Sequence, residues 1–411
     1  MENYLPTADG VATAILPAMR LDIAAVQRAL RDDGLDAWLL YDFHGSNPIA
    51  RRVTGLNAAA KLTTRRWYYL IPADGAPRAL VHAIEDDRLD HLPGDKTRYA
   101  RHGELDAGLR ALLIGCASVA MEFSPGCAIP YVSRVDAGTV DSIRALGVEV
   151  LSSGDLVQRF EAVWDAAALE SHETASRALY AIKDRAFDLV TQRMRDGDSV
   201  TELEVQDAMA GWFEQEGLIS DSRPVVAAQE NAGDPHYLPT RERHRVIDPG
   251  VVLLLDLWGK LPTPGAVYAD ITWMGFTGTT VPTRYAKAFT VIREGRDAAV
   301  SLVEQAVRDR RELRGWEVDR ATRDLVTAAG LGDHFIHRTG HSLGEEVHGN
   351  GAHLDDFETH DERRLLPGTG VTVEPGVYFE DFGLRTEVNL HIGQESATVT
   401  GPLQTEIRTL R

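Results

Sequence analysis

Asp256, Asp270, His341, Glu374 and Glu387, four carboxylates and one imidazole in the C-terminal half of the chain, are the residues whose types and spacing could do chemistry together. Asp256 follows the apolar run Val251-Val252-Leu253-Leu254-Leu255, and Glu374 follows Val371-Thr372-Val373. A carboxylate carried by a strand into a core costs several kcal/mol unless something positive neutralises it. Four carboxylates and a neutral imidazole balance the charge of two divalent cations. Paired cations of that kind supply hydroxide at neutral pH and stabilise a tetrahedral intermediate from both sides.

Strands must position these residues. Val251 to Leu257, Ala269 to Phe276, Val371 to Val373 and Leu384 to His391 read as β-rich runs, as do Pro224 to Ala228 and Phe335 to His337. Helices around Arg284 to Arg310 and Val318 to Ala329 separate the two strand groups. Thr201-Glu202-Leu203-Glu204 is a capping box opening a helix that runs through Ala210 and Phe213 to Gly217, and its role is structural. The N-terminal part alternates. Ile23, Val26 and Leu30 predict a helix stopped by Gly34, followed by a strand over Ala37 to Tyr41. Trp67 to Ile71 and Ala79 to His82 predict a hairpin across a Pro- and Gly-containing turn. Ser118 to Phe123 and Val148 to Leu151 predict strands flanking a helix over Asp136 to Leu146. The fold class is therefore α/β (α+β). A junction begins at Ser152-Ser153-Gly154, which sets an N-terminal α/β layer domain over residues 1–163 and a catalytic domain over residues 164–411.

At 411 residues the chain exceeds the usual size of a single core, so two domains are expected. A formal net charge of −19 argues against a nucleic-acid or anionic-membrane partner, since both need clustered Lys and Arg. Cys116 and Cys127 lack metal-ligand spacing and are expected to be buried free thiols in a reducing compartment. Met1-Glu2-Asn3-Tyr4 has neither a basic nor an apolar leader region, and no run approaches the ~18 apolar residues of a membrane span. A cytoplasmic enzyme is the expectation.

In order and context, the five residues resemble those of the pita-bread metallopeptidases, the family of methionine aminopeptidase, aminopeptidase P and prolidase, and the proline-directed branch above all. The segments that carry the resemblance are Glu230 to Tyr237, Asp256-Leu257, Tyr268 to Thr272, Gly340 to His348, Glu374 to Tyr378 and Arg385-Thr386-Glu387. Leu35-Asp36-Ala37 and Val53-Thr54-Gly55 are similar to the auxiliary N-terminal domain of such enzymes. Taken singly, each motif has a plainer reading: Glu374-Pro375-Gly376 is a turn signal, Asp256 a strand end, and His236 and His348 loop or strand histidines. His337 and His341 stand four apart, yet the Gly340 between them spoils a zinc-binding helix, so His337 reads as a core or surface residue.

The resemblance implies a pita-bread catalytic domain holding two divalent ions. Asp256 would be a terminal ligand, Asp270 and Glu387 bridges, and His341 and Glu374 the remaining ligands, with Glu374 also carrying the proton. His236 and His348 would stabilise the oxyanion, and Arg385 would orient the site electrostatically. One imidazole and no thiolate favour Mn²⁺, with Co²⁺ or Zn²⁺ as alternatives. The reaction implied is hydrolysis of Xaa-Pro bonds in small peptides with proline at the second position, by a dipeptidase that is commonly a homodimer. An Xaa-Pro aminopeptidase acting on longer peptides is the alternative, as is a non-peptide C–N or C–S cleaving enzyme on the same scaffold. Arg338, Arg241 and Arg243 are candidates for binding a prolyl carboxylate. Two features depart from the family pattern. Asp270 stands fourteen positions after Asp256, a longer spacing than usual, with Pro262, Pro264 and Gly265 between them. Trp273 stands where relatives usually have Arg, which puts the charge network around the ligands, substrate selection and dimer packing in question.

Overall fold

The computed structural model describes residues 21–56 and 63–411. They form two compact units, one ending at Glu161 and the other running from Ala162 to Arg411.

In the first unit six strands, β1 (Ala37–Asp42), β2 (Trp67–Pro72), β3 (Arg78–His82), β4 (Asp95–Tyr99), β5 (Ser118–Met121) and β6 (Glu149–Ser152), make one mixed sheet in the order β4-β3-β2-β1-β5-β6. Strand β1 is buried throughout, and the strand period of two divides it between two cores. Trp38 and Leu40 pack with α1 (Ile23–Asp32), α2 (Pro48–Val53) and α5 (Gly154–Glu161). Leu39 and Tyr41 pack with α3 (His102–Leu112) and α4 (Ala137–Arg144). The expected hairpin of β2 and β3 is present and antiparallel, and Gly34 adopts a left-handed φ of 67° just beyond α1. The sequence reading gave no element for α2, β4 or α3. Cys127 is exposed and Cys116 half-buried, so the expectation of two buried thiols is corrected, although both are free.

The second unit opens with α6 (Ala166–Asp196) and α7 (Glu202–Gln215), where the Thr201–Glu204 capping box forms as read. One sheet follows, with β7 (Val225–Ala228), β8 (Val252–Gly259) and β9 (Ala269–Phe276) antiparallel in sequence. Its faces are chemically distinct. Leu253, Leu255, Leu257, Ile271 and Trp273 pack on α6 and α7, while Val252, Leu254, Met274 and Phe276 pack on α8 (Thr283–Arg308) and the far end of α9 (Gly315–Ala328). A second sheet has β10 (Ser342–Leu343), β11 (Thr369–Val373), β14 (Val388–Ile392) and β15 (Ala397–Val399), and β12 (Gly376–Tyr378) pairs with β13 (Gly383–Arg385). The C-terminal β16 (Arg408–Thr409) runs parallel to β9.

Two strand expectations are corrected. Leu384 to His391 is not one strand but β13 and β14, with Thr386 and Glu387 at the break. Phe335 to His337 forms no strand: its carbonyls at Phe335 and His337 accept from the Arg323 guanidinium at 2.9 and 2.7 Å rather than from a neighbouring ladder.

Candidate metal centre

Asp256 and Thr272 are direct cross-strand partners, and Asp270 faces Trp258 two residues further along. Period two therefore puts Asp256, Asp270 and Thr272 on one face of the sheet, the face opposite that of Trp273. The long connection does not disturb this register. It folds onto the loop leading to His348, with the Gly265 amide donating to Glu345 Oε2 at 3.2 Å, the Lys260 ammonium to the Glu345 carbonyl at 2.6 Å and the Tyr268 amide to the Gly344 carbonyl at 2.9 Å.

Glu374 and Glu387 flank one end of the β11–β14 ladder, where Val373 pairs with Val388. The Glu387 amide donates to the Thr272 carbonyl at 3.2 Å, and the Asp270 amide to Asn389 Oδ1 at 2.9 Å, so the two sheets are stitched together at the carboxylates themselves. His341 enters beside them, its amide on Thr372 Oγ1 at 2.9 Å.

The side chains converge. His341 Nε2 lies 3.6 Å from Asp270 Oδ2 and 3.5 Å from Glu374 Oε1. Its Nδ1 sits 3.2 Å from the Ser342 carbonyl, a contact that only an N–H can make, which leaves the Nε2 lone pair aimed at two carboxylate oxygens. Burial, and then the charges of His348 and Arg338, hold the His341 imidazole well below its usual pKa, so protonation does not relieve that arrangement at neutral pH. Burial first and Glu387 second push Asp270 well above the usual carboxylate range, and burial followed by Glu374 does the same to Glu387. Asp256 and Glu374 are also raised by burial, against the opposing charge of Arg385. Asp270 Oδ1 and Glu387 Oε1 are buried without a hydrogen-bond donor, whereas Thr272 Oγ1 donates to Glu387 Oε2 at 2.6 Å. Ligand atoms of Asp270, His341 and Glu387 lie within 4.8 Å of one another. Lone pairs crowded in this way, with Asp270 Oδ1 and Glu387 Oε1 undonated, fit a divalent cation.

Arg385 is the cation already on hand. Its guanidinium pairs with Asp256, and it donates to Thr272 Oγ1 at 2.9 Å and to Tyr378 Oη at 3.2 Å. His337 Nε2 meets the same Tyr378 hydroxyl at 2.9 Å, and its pKa is lowered to about 4 by burial and then by Arg385. The His348 ring stands edge-on to His341, 4.4 Å between centroids at 87°. Burial lowers His348, with Arg338 and His236 adding to the effect, which brings the exposed His236 within electrostatic reach of the centre. Trp273 points away, under Lys183 of α6, whose ammonium is 3.8 Å from its ring centroid.

Thr272, Tyr378 and Asn389 touch the centre and were not singled out from sequence. Thr272 carried a signal, since it stands two residues from Asp270 on a strand. Tyr378 closed the Glu374 to Tyr378 segment of the resemblance without a role of its own, and Asn389 carried no signal, because their partners Arg385, His337 and Asp270 become neighbours only on folding.

Among known proteins, the chain is 24% identical over 348 residues to the probable dipeptidase PepE of Mycobacterium tuberculosis, an alignment covering 83% of this chain and 85% of that one. It is 29% identical over 175 residues to the Xaa-Pro dipeptidase of Lactobacillus helveticus, covering 42% and 43% of the two chains. The crystal structure of dipeptidase PepE from Mycobacterium ulcerans superposes with a TM-score of 0.66 at 22% identity, covering 94% of this chain and 96% of that one, so the two share the pita-bread fold. The family model of metallopeptidase family M24 matches residues 174–394, more than half of the chain and a span containing every residue of the centre described above. A profile match of that extent makes the chain a member of metallopeptidase family M24.

Proposed function

We propose that this enzyme is an Xaa-Pro dipeptidase using two divalent ions, Mn²⁺ first, with residues 164–411 as its catalytic domain and residues 1–163 as an accessory domain. The observation that carries the reading is the lone-pair cluster: His341 Nε2 beside Asp270 and Glu374, with Asp270 Oδ1 and Glu387 Oε1 undonated. Asp256, Asp270, His341, Glu374 and Glu387 would hold the ions, which when bound acidify water and polarise the scissile carbonyl. Glu374, raised by burial, accepts a proton and delivers it to the prolyl nitrogen. His348 and His236 donate hydrogen bonds to the oxyanion. Arg385 stays protonated and fixes Asp256 without reacting. The names of the M. tuberculosis and L. helveticus relatives support a dipeptide substrate, and the family resemblance supports a cytoplasmic homodimer.

For the free prolyl carboxylate Arg338 is the favoured partner. It is buried, and its charge is felt at Glu374, His341 and His348. Arg241 and Arg243 are both exposed, the latter 3.4 Å from Asp234. Arg338→Met is expected to raise KM for Ala-Pro far more than for Ala-Pro amide, because only the acid loses a charge-assisted hydrogen bond. Steady-state kinetics on Ala-Pro, its amide and an Ala-Pro tripeptide, with and without Mn²⁺, test the reading. Faster cleavage of the tripeptide would replace the dipeptidase by an aminopeptidase, and no cleavage of any of the three would end the proline-directed reading. His348→Ala and His236→Ala should keep their metal and lose about 10²-fold in kcat/KM, as for lost transition-state donors.

A further inference from the structure

The buried carboxylate of Glu202, at the first turn of α7, lies outside the metal centre and takes no part in the chemistry above. It is fully inaccessible to solvent. A capping residue of this kind ordinarily satisfies its own helix, but that task here falls to Thr201 and Glu204, whose hydroxyl and carboxylate exchange bonds with each other's backbone amides at 3.2 and 2.8 Å. Glu202 is left to serve a distant segment. It accepts from the Ala228 amide at 2.6 Å, from Asn231 Nδ2 at 3.0 and 3.1 Å, from the Tyr237 hydroxyl at 2.6 Å and from the Arg245 amide at 2.8 Å. All four partners come from one stretch of chain, residues 228–245, and Tyr237 is the residue next to His236.

The same stretch is held from its other side by the turn joining β12 to β13. A side chain on Gly233 would meet the Phe379 carbonyl at 2.3 Å, and one on Gly383 would meet the Ala232 carbonyl at 1.8 Å, so backbone rests on backbone. That hairpin carries Tyr378 and Arg385. Between the two anchors the His236 amide is tied to Asp234 Oδ1 at 3.1 Å and the Tyr237 amide to the Asp234 carbonyl at 3.0 Å. His236 itself is exposed.

We infer that Glu202 is a positioning residue: it gathers residues 228–245 so that His236 meets the reacting carbonyl. The inference rests on the oxyanion role proposed for His236. A carboxylate suits the task because each of its oxygens accepts more than one bond, whereas an amide in its place presents an N–H to groups that are themselves donors. The effect belongs in kcat and not in metal content, since none of the clamped residues is a proposed metal ligand.

The test is a cycle on the metal-loaded full chain: wild type, Glu202→Gln, His236→Ala and the double variant, each with its metal content, kcat and KM, and with hydrogen exchange followed over residues 228–245. Glu202→Gln should retain its metal, lose about tenfold or more in kcat and exchange faster over that stretch, while the double variant should be no slower than His236→Ala within about twofold. Tyr237→Phe, which removes one donor and leaves Glu202 in place, should give a smaller loss with the same non-additivity and covers the case in which Glu202→Gln does not fold. Losses that multiply in the double variant would overturn the inference, as would a Glu202→Gln enzyme with wild-type kcat. Faster exchange at residues 228–245 together with a fully active His236→Ala would locate the failure in the role given to His236 and overturn the catalytic part of the inference with it.

Discussion

Asp270 and Glu387 each keep one buried carboxylate oxygen without a donor, and each is raised well above the usual carboxylate range, first by burial. Two such groups side by side in a desolvated pocket repel one another until a cation or a proton intervenes. If each bridges two ions, removing either removes the pair. Asp270→Ala and Glu387→Ala are thus expected to lose both ions where the wild type holds two per chain. Metal analysis of the purified proteins checks this, and one ion in the wild type, or a full pair kept after either substitution, sinks the dinuclear arrangement. Asp256 differs from these two because Arg385 already neutralises it, so its loss strands a buried guanidinium as well as a ligand.

At the scale of elements, β9 separates two chemistries by alternation alone. Asp270 and Thr272 face the second sheet, while Ile271 and Trp273 face α6. An arginine here, as the family resemblance implies, would meet Lys183 on that outer face, where Trp273 lies under the ammonium at 3.8 Å. Trp273→Arg should therefore leave metal content unchanged and cost about 1–3 kcal/mol of stability, through a lost cation–π contact and a new like-charge pair. Denaturant unfolding with metal analysis on the same sample reads both effects. In the first unit the loop after β5 carries Glu122, buried among Trp38 Nε1 at 2.8 Å, Asn47 Nδ2 at 2.7 Å and Ser153 Oγ at 3.0 Å, with a pKa raised by burial to about 6. Because the folded value lies above the unfolded one, its contribution to stability is complete below about pH 4.5 and is lost as pH rises through about 6, a change of about 2 kcal/mol. Wild type minus Glu122→Gln, unfolded at pH 4.5 and pH 7, should show that difference, and parallel pH profiles would refute it.

For the whole molecule, the cation site ties two sheets together, so metal and stability are linked. Stripping the metal at pH 7.5 should lower the thermal midpoint, since ligands bound only by the native state add RT ln(1 + [L]/Kd) to its stability. The gap should shrink toward pH 5. Carboxyl groups raised by burial take up protons as pH falls, which relieves their repulsion in the metal-free protein and weakens metal binding in the loaded one. Calorimetry with and without chelator at the two pH values measures it, and an equal gap at both would show that these carboxylates do not carry the linkage. Among the described residues, no helix is long and apolar enough to cross a membrane.

What sequence determined by itself was local. The apolar run Val251 to Leu255 and the β-rich run Ala269 to Phe276 marked Asp256 and Asp270 as strand carboxylates, the Thr201–Glu204 spacing specified a helix start, and the alternation of helix and strand gave the mixed class, because each depends on residues within a few positions of one another. Tertiary structure decided what depends on partners far apart in the chain. Register made Trp273 an outer-face residue, a distinction that turns on whether Asp256 pairs with Thr272 or with its neighbour. Leu384 to His391 broke into two strands because the amides of Thr386 and Glu387 leave the ladder for the carbonyls of Pro375 and Thr272, at 3.3 and 3.2 Å. The chain from His337 through Tyr378 and Arg385 to Asp256, and the hold of Glu202 on the His236 loop, join residues up to 129 positions apart. A buried hydrogen bond leaves no mark on local sequence, since its cost and its satisfaction are set by neighbours that only folding supplies.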